Sequence, residues 1–305
     1  MATPTVVPLT RKSTNGRFYR GVLRAEFRLL GRFAPALADR RAAALFSTPR
    51  RRTSPPEPGT PGLVAERFRV LSGGRALAAW SFGEGPPVVL VHGWNGSSAQ
   101  LSSFIRPLVE LGFRAVAFDQ PAHGHSEGRQ ATLPQMAEAL KAVARAVGPL
   151  HGVVAHSLGG TATALALFDH LPATRAVLVA PPAAAPHFAR RLAEALGLSE
   201  ARTEGMLAQL QRNLGVSLEA LDVRSFAGWV HQPALIFHDV QDREVPFAHG
   251  RAIADAWPTS RLVPLEGLGH TRPLSDAGVV RTSVAFLREG IAAQGTLGTG
   301  LATSG

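Results

Sequence analysis

Hydrophobic positions along this chain fall into short unbroken runs separated by longer periodic stretches, and the two patterns alternate. Five runs, Val88–Val91, Ala115–Phe118, Gly152–Ala155, Ala176–Ala180 and Ala234–Phe237, carry no polar side chain on either parity. A strand that is apolar on both parities is buried on both faces, as the central strands of a parallel sheet are. A sixth run, Leu262–Leu265, is weaker. Between the runs the period changes. Thr132 reads as a helix cap, followed by Leu133, Met136, Leu140, Val143 and Val147 at helical spacing up to Gly148. A second helical pattern follows Ser275 through Val279, Val280, Val284, Phe286 and Leu287. Strand alternating with helix predicts an α/β fold, a mostly parallel twisted sheet with helices on both faces.

Two stretches depart from the alternation. Val64 to Leu71 and Ala76 to Phe82 flank Ser72-Gly73-Gly74, which predicts an antiparallel hairpin ahead of the parallel strands. From Pro182 to Gln232 there are helix-like segments, His187–Leu196 and Glu200–Leu214, and no clear strand. This stretch follows the carboxyl end of a strand, so a small helical cap insertion over the ligand crevice, about residues 183–232, is expected.

The apolar alternation begins only after a basic extension and a Pro/Arg/Ser-rich segment at 50–62. The predicted division is therefore residues 1–62, a helical N-terminal extension and linker; 63–292, the α/β domain; and 293–305, a flexible tail. Within the extension Arg20, Arg24, Arg28 and Arg32 recur every four residues beside Tyr19, Leu23, Phe27 and Leu30. That predicts an amphipathic helix interrupted by Gly21, Glu26 and Gly31.

Charge sharpens this division. The chain carries a net +10, but residues 1–52 hold 12 Lys+Arg against 2 Asp+Glu, while the remainder is balanced at 20 and 20. An excess confined to an appendage points to a surface contact rather than to nucleic acid. Peripheral membrane attachment or self-association through residues 17–46 fits it, and so does packing of the apolar face on the main domain. The chain has no cysteine, which removes disulfides, thiolate metal sites and a cysteine nucleophile together. No apolar run reaches the ~20 residues of a membrane span. The first residues show no secretory h-region, so a cytoplasmic protein is expected.

Candidate chemistry gathers at the ends of the apolar runs. Val153-Val154-Ala155-His156-Ser157-Leu158-Gly159-Gly160 is a strand entering a small-residue turn before a helix-like TATALALFDH. Val88-Val89-Leu90-Val91 ends in His92-Gly93-Trp94. Leu235-Ile236-Phe237 ends in His238-Asp239-Val240-Gln241-Asp242-Arg243-Glu244-Val245-Pro246, and Glu266-Gly267-Leu268-Gly269-His270 follows the weak sixth run.

Together these four segments resemble the α/β-hydrolase fold, over roughly residues 64–290. The serine segment resembles the nucleophile elbow Gly-x-Ser-x-Gly, with Ala155 at the first glycine. The third segment is similar to the family pattern His-Gly-x-x-Asp-x-x-Val-Pro, with Asp239 where glycine is usual. The resemblance implies a carboxylesterase-like serine hydrolase acting through an acyl-enzyme: Ser157 as nucleophile, His270 as general base and Asp242 as the acid that orients it, in the chain order this fold requires. It assigns the oxyanion hole to the N–H groups of Trp94 and Leu158, and substrate contact to His156 and Trp94. Asp239 is a rival acid. The other family position for the acid, after Ala176–Ala180, reads Pro-Pro-Ala-Ala-Ala-Pro and offers no carboxylate. A further segment, Asp119-Gln120-Pro121-Ala122-His123-Gly124-His125-Ser126, resembles a family loop in which Asp119 and His123 are structural.

A small-molecule ester is the expected substrate, and no metal or organic cofactor is required. Thioester, lactone, peptide or other acyl transfer on the same triad stays open, and so does a hydrolase-like binding protein without turnover. Phe188, Leu192, Leu196, Met206, Leu207 and Leu210 in the insertion fit two readings, an apolar acyl pocket shared with Trp94 or a helix stripe packed on a core.

Overall fold

The computed structural model describes residues 14–51 and 57–295. The start of the extension, residues 52–56 of the predicted linker and residues 296–305 of the predicted tail lie outside these. The hairpin is formed by β1 (Glu66–Ser72) and β2 (Arg75–Phe82), paired antiparallel. Its turn residues Gly73 and Gly74 both have positive φ, 54° and 74°, the conformation that lets a two-residue turn match the strand twist.

The predicted runs become β3 (Pro87–Val91), β4 (Arg114–Phe118), β5 (Gly152–His156), β6 (Ala176–Val179), β7 (Ala234–Asp239) and β8 (Ser260–Leu265). They assemble with the hairpin into one eight-stranded sheet in the order β1-β2-β4-β3-β5-β6-β7-β8, parallel from β4 onward. β6 stops one residue short of its apolar run because Ala180 turns to φ 51° and leaves the sheet. β8 is only half-buried, since it closes the sheet edge, and this is why its run is the weakest.

Ten helices surround the sheet among the described residues. The extension forms α1 (Thr14–Phe33) and α2 (Pro35–Phe46). The domain adds α3 (Ser102–Glu110), α4 (Leu133–Val147) and α5 (Leu158–Phe168). The insertion contributes α6 (Ala185–Leu196), α7 (Glu200–Leu214) and the short α8 (Val223–Phe226). α9 (Phe247–Ala256) and α10 (Ala277–Gly295) follow, the last running into the predicted tail. Thr132 caps α4 as expected, in a reciprocal box with Gln135.

Alternate strand residues supply two cores. Val89, Val91, Val153, Ala155, Leu178 and Ile236 pack with α4, α5 and α9, whereas Val88, Leu90, Val154, Val179, Leu235 and Phe237 pack with α3 and α10. Burial on both parities is what the unbroken apolar runs encode. The insertion is split between two places. Val223, Phe226, Ala227 and Val230 return into the core under the sheet, while α6 and α7 pack against α1 and α2 in a separate cluster.

That cluster settles which of the two readings of the insertion stripe holds. Leu196, Met206, Leu207 and Leu210 are buried against Phe27, Ala38, Ala42 and Ala43 of the extension, with Leu192 packed on the same group. Their apolar face therefore meets the N-terminal helices rather than forming an acyl pocket. Phe188 lies apart, its ring 5.6 Å from that of His249. The contact is pinned by Arg202, whose Nη1 donates to both oxygens of Asp39 at 2.9 and 3.1 Å. α2 and α7 approach so closely here that a Cβ on Gly205 would come within 2.2 Å of the Asp39 carboxylate.

Candidate active site

Between the last residue of β5 and the first of α5 stands Ser157, with φ 51° and ψ −128°. A non-glycine residue held there costs of order 1–3 kcal/mol and persists only where its surroundings impose it. The neighbouring strand and helix do so: Ser157 N–H donates to Val179 O at 2.8 Å, and its carbonyl accepts from Gly160 N–H at 2.8 Å. Close approach explains the small residues around it. A Cβ on Gly159 would lie 2.5 Å from His92 O, so only glycine lets the start of α5 lie against the end of β3. A Cβ on Gly93 would lie 2.8 Å from Ser157 Cβ, so the loop carrying Trp94 passes directly against the serine turn. Ala155 is fully buried in the sheet, its methyl accommodated where the family pattern has glycine.

From the ends of β7 and β8 come the acid and the imidazole. His270 Nδ1–H donates to Asp242 Oδ2 at 2.7 Å, which leaves Nε2 with the lone pair that can take a proton. Asp242 Oδ1 accepts from the N–H groups of Glu244 at 2.8 Å and Val245 at 3.0 Å. Burial alone would raise this carboxyl; the His270 hydrogen bond and these two N–H groups outweigh it and hold the carboxyl below its ordinary value. Asp239, the rival acid, is fully buried and turned to backbone. Its oxygens accept from Gln241 N–H at 2.8 Å and Leu268 N–H at 2.6 Å, so it ties down the loop that carries His270. Spacing to Val245-Pro246 favours Asp242 over its rival Asp239, and the geometry likewise pairs His270 with Asp242.

His156 does not face an opening. It is 3% exposed, its Nε2–H donates to His270 O at 3.0 Å, and its ring lies 4.7 Å from that of His270. Its contact is thus with the imidazole's own loop, and it brings the Asp242–His270 pair beside the serine turn. Among the described residues the Ser157 hydroxyl has no hydrogen-bond partner, and such contacts are commonly long before substrate binds. Leu158 opens α5, and Trp94 follows β3; both side chains are half-buried against Leu133, Met136, Ala162 and Leu221. This apolar group beside the serine escaped the sequence, because it draws on α4, α5 and the insertion, which only the fold brings together.

A second layer supports the loop of Trp94. Asp119 Oδ1 accepts from Ser98 N–H at 2.7 Å and Oδ2 from His125 N–H at 2.8 Å. His92 donates from Nδ1 to Gly93 O and accepts at Nε2 from Gln120 N–H at 2.9 Å. His123 donates to Pro121 O at 2.9 Å and accepts from Asn95 N–H at 3.2 Å. Asn95 takes φ 59°, which asparagine tolerates better than most residues, and its Oδ1 accepts from Arg50 N–H at 2.7 Å. Arg51 then grips the carbonyls of Gly124 at 2.9 Å and Ser126 at 2.5 Å. The end of the extension is thereby fastened to two loops of the site. No local pattern foretold these bonds, since Arg50 and Asn95 are 45 residues apart.

Two expectations arise here. Asn95→Gly keeps the backbone freedom and deletes the acceptor for Arg50, so it should lower kcat/KM for an ester by about fivefold, the equivalent of one ordinary hydrogen bond, while Asn95→Asp stays near wild type. Equal kinetics for Asn95→Gly and wild type would show that the clip does not reach the site. Acid should also unfold the protein early. His123 and His156 are both lowered to about 3, by burial first and then by His92 and His270 respectively. In the unfolded chain a histidine protonates near ~6.5, so the unfolded state binds more protons once pH falls below that value, and stability drops until the folded values are reached. Each should cost about 2 kcal/mol between pH 6.5 and 4.5. Urea midpoints measured over this window should fall steeply, with more than two protons taken up on unfolding, since burial lowers His92, His238 and His249 as well; a flat profile would refute the buried neutral state.

Comparison with known proteins agrees with this architecture. A family model described as the alpha/beta hydrolase fold matches residues 86–198, the span that includes the Trp94 loop and the serine turn. A human serine hydrolase-like protein is 32% identical over 110 residues, covering 34% of this chain and 54% of that protein, so the chain spans about half the length of this relative. The AB hydrolase superfamily protein YisY of Bacillus subtilis is 24% identical over 232 residues, covering 62% of this chain and 86% of that one. Among solved structures, Est1E from Butyrivibrio proteoclasticus, with bound ferulic acid, superposes with a TM-score of 0.61 at 21% identity, covering 74% of this chain and 99% of Est1E. Sheet order, serine turn and matched segment converge, and the chain has the α/β-hydrolase fold.

Proposed function

We propose that this protein is a serine hydrolase that cleaves small-molecule carboxylic esters through an acyl-enzyme. The reading rests on one observation above others: the 2.7 Å bond from His270 to Asp242, standing beside a serine held in a strained strand-to-helix turn. In this mechanism His270 Nε2 takes the proton of Ser157 as its Oγ attacks the ester carbonyl. The N–H groups of Leu158 and Trp94 stabilise the oxygen that becomes negative. As the tetrahedral intermediate collapses, the alkoxide leaves with the proton returned by His270. Water, deprotonated by the same imidazole, then attacks the acyl carbonyl, and Ser157 regains its proton as the acid departs. Asp242 keeps the imidazole in the required tautomer and stabilises its charged form.

The half-buried apolar side chains of Trp94 and Leu158 beside Ser157 support an aliphatic or aromatic acyl portion rather than a charged one. Thioesters, lactones and amides would use the same residues, and a panel containing all four classes, with esters turned over fastest, is the expected outcome. Labelling by a fluorophosphonate tests the alternative of a hydrolase-like binding protein, which the unbonded Ser157 hydroxyl keeps in play. Absence of both labelling and turnover would leave only that alternative.

A further inference from the structure

Helix α1 has two apolar faces, and the fold covers one of them. Leu23, Phe27 and Leu30 turn inward to the cluster shared with α6 and α7, where Phe27 is 2% exposed. Val22, Leu29 and Phe33 recur at intervals of seven and four, which aligns them on one stripe of the same helix. They are 50%, 60% and 76% exposed, and Leu37 at the start of α2 is 46% exposed. A soluble helix does not ordinarily present such a row to water.

The charges beside this stripe are sorted. The extension's two acidic residues are both engaged by arginines within the protein, Glu26 by Arg41 and Asp39 by Arg202. Glu26, which interrupts the amphipathic pattern in the sequence, is therefore neutralised by α2. Arg28, Arg32 and Arg40 stand exposed with no acidic partner among the described residues, and the Arg32 guanidinium lies 5.7 Å from the Phe33 ring. The outward side is thus apolar and cationic without a compensating anion.

We propose that this face of the extension docks on an anionic lipid surface, Leu29 and Phe33 entering the headgroup boundary while Arg28 and Arg32 meet lipid phosphates. Charge complementarity selects this occupant. A second copy would bring the same unpaired arginines against each other across a two-fold interface. Four side chains also fall well short of the ~800 Å² per partner of a stable protein interface. The inference is independent of the proposed catalytic reading, since none of these residues touches the site.

The test uses the full chain and sedimentation with sucrose-loaded vesicles, phosphatidylcholine alone or with about a third phosphatidylserine. Wild type should bind the anionic vesicles at least tenfold more tightly than the zwitterionic ones and release as salt rises. Arg28→Gln with Arg32→Gln should weaken anionic binding roughly thirtyfold, about fivefold for each arginine. Leu29→Glu with Phe33→Glu should abolish it, with thermal unfolding unchanged because both side chains are already in water. Equal binding to the two vesicle types, or a Leu29/Phe33 double variant that binds as wild type does, overturns the proposal. So does a concentration-dependent dimer that this variant removes while vesicles bind neither protein, an outcome assigning the face to a second copy.

Discussion

Ser157→Ala is expected to lower kcat for a chromogenic ester by about a million-fold, the scale on which removing the nucleophile of a Ser-His-Asp site acts. The substitution is well suited to the test because it leaves the strained turn alone. Alanine bears the same Cβ at φ 51°, and the hydrogen bonds that impose the turn, Ser157 N–H to Val179 O and Gly160 N–H to Ser157 O, are made by backbone. Since the hydroxyl has no hydrogen-bond partner among the described residues, its loss should move the thermal midpoint little. Substrate affinity should persist, and residual turnover should reflect only the N–H donors and binding. Fluorophosphonate labelling should vanish with activity. Retention of even a few per cent of wild-type kcat would place the nucleophile elsewhere and remove the proposed mechanism.

The second large effect is expected at Asp242. Asp242→Asn should reduce kcat by about 10⁴-fold with folding intact. Its Oδ1 accepts from Glu244 and Val245, a role the amide oxygen can keep. The amide NH2 would then meet His270 Nδ1, forcing the proton onto Nε2 and leaving no lone pair for the serine. Asp239→Asn should behave differently. Both Asp239 oxygens accept backbone N–H groups, so an amide leaves one of them unpaired, at a stability cost of about 1–3 kcal/mol. Its kinetic effect should be smaller, passing through the position of Leu268 and the loop behind it. Kinetic measurement of the two variants side by side decides between the acids: a collapse of kcat in Asp239→Asn with Asp242→Asn near wild type would reverse the assignment.

How much of this was legible beforehand varied with the kind of evidence. Strands buried on both faces announce themselves by apolar runs, and seven of the structure's elements, β3 to β8 with α4, needed nothing more than run length, period and a cap. α3 went unread because it is short and contains Pro107, and β6 was read one residue too long because its last residue turns. The serine turn was readable because the backbone demands small neighbours at 93, 159 and 160 wherever a serine must stand on such a turn. The insertion stripe shows the opposite limit. Periodicity placed Leu192 and Leu196 on one face of the first helix-like segment and Met206, Leu207 and Leu210 on one face of the second, but carried no information on what would cover them, and the cover proved to be the N-terminal helices.

By itself, then, the amino-acid order determined the local states: which segments extend, which coil, where the chain must turn tightly, and which strand-end side chains are the candidates for chemistry. Partnership across long separations was decided only in three dimensions. The anchoring of Asp239 to the loop that carries His270, the turning of His156 toward His270, the Arg50–Asn95 clip and the splitting of α1 into a covered and an uncovered face all depend on groups that meet after the sheet closes. Propensity and periodicity act within a few residues, whereas these contacts are fixed by the packing of whole elements.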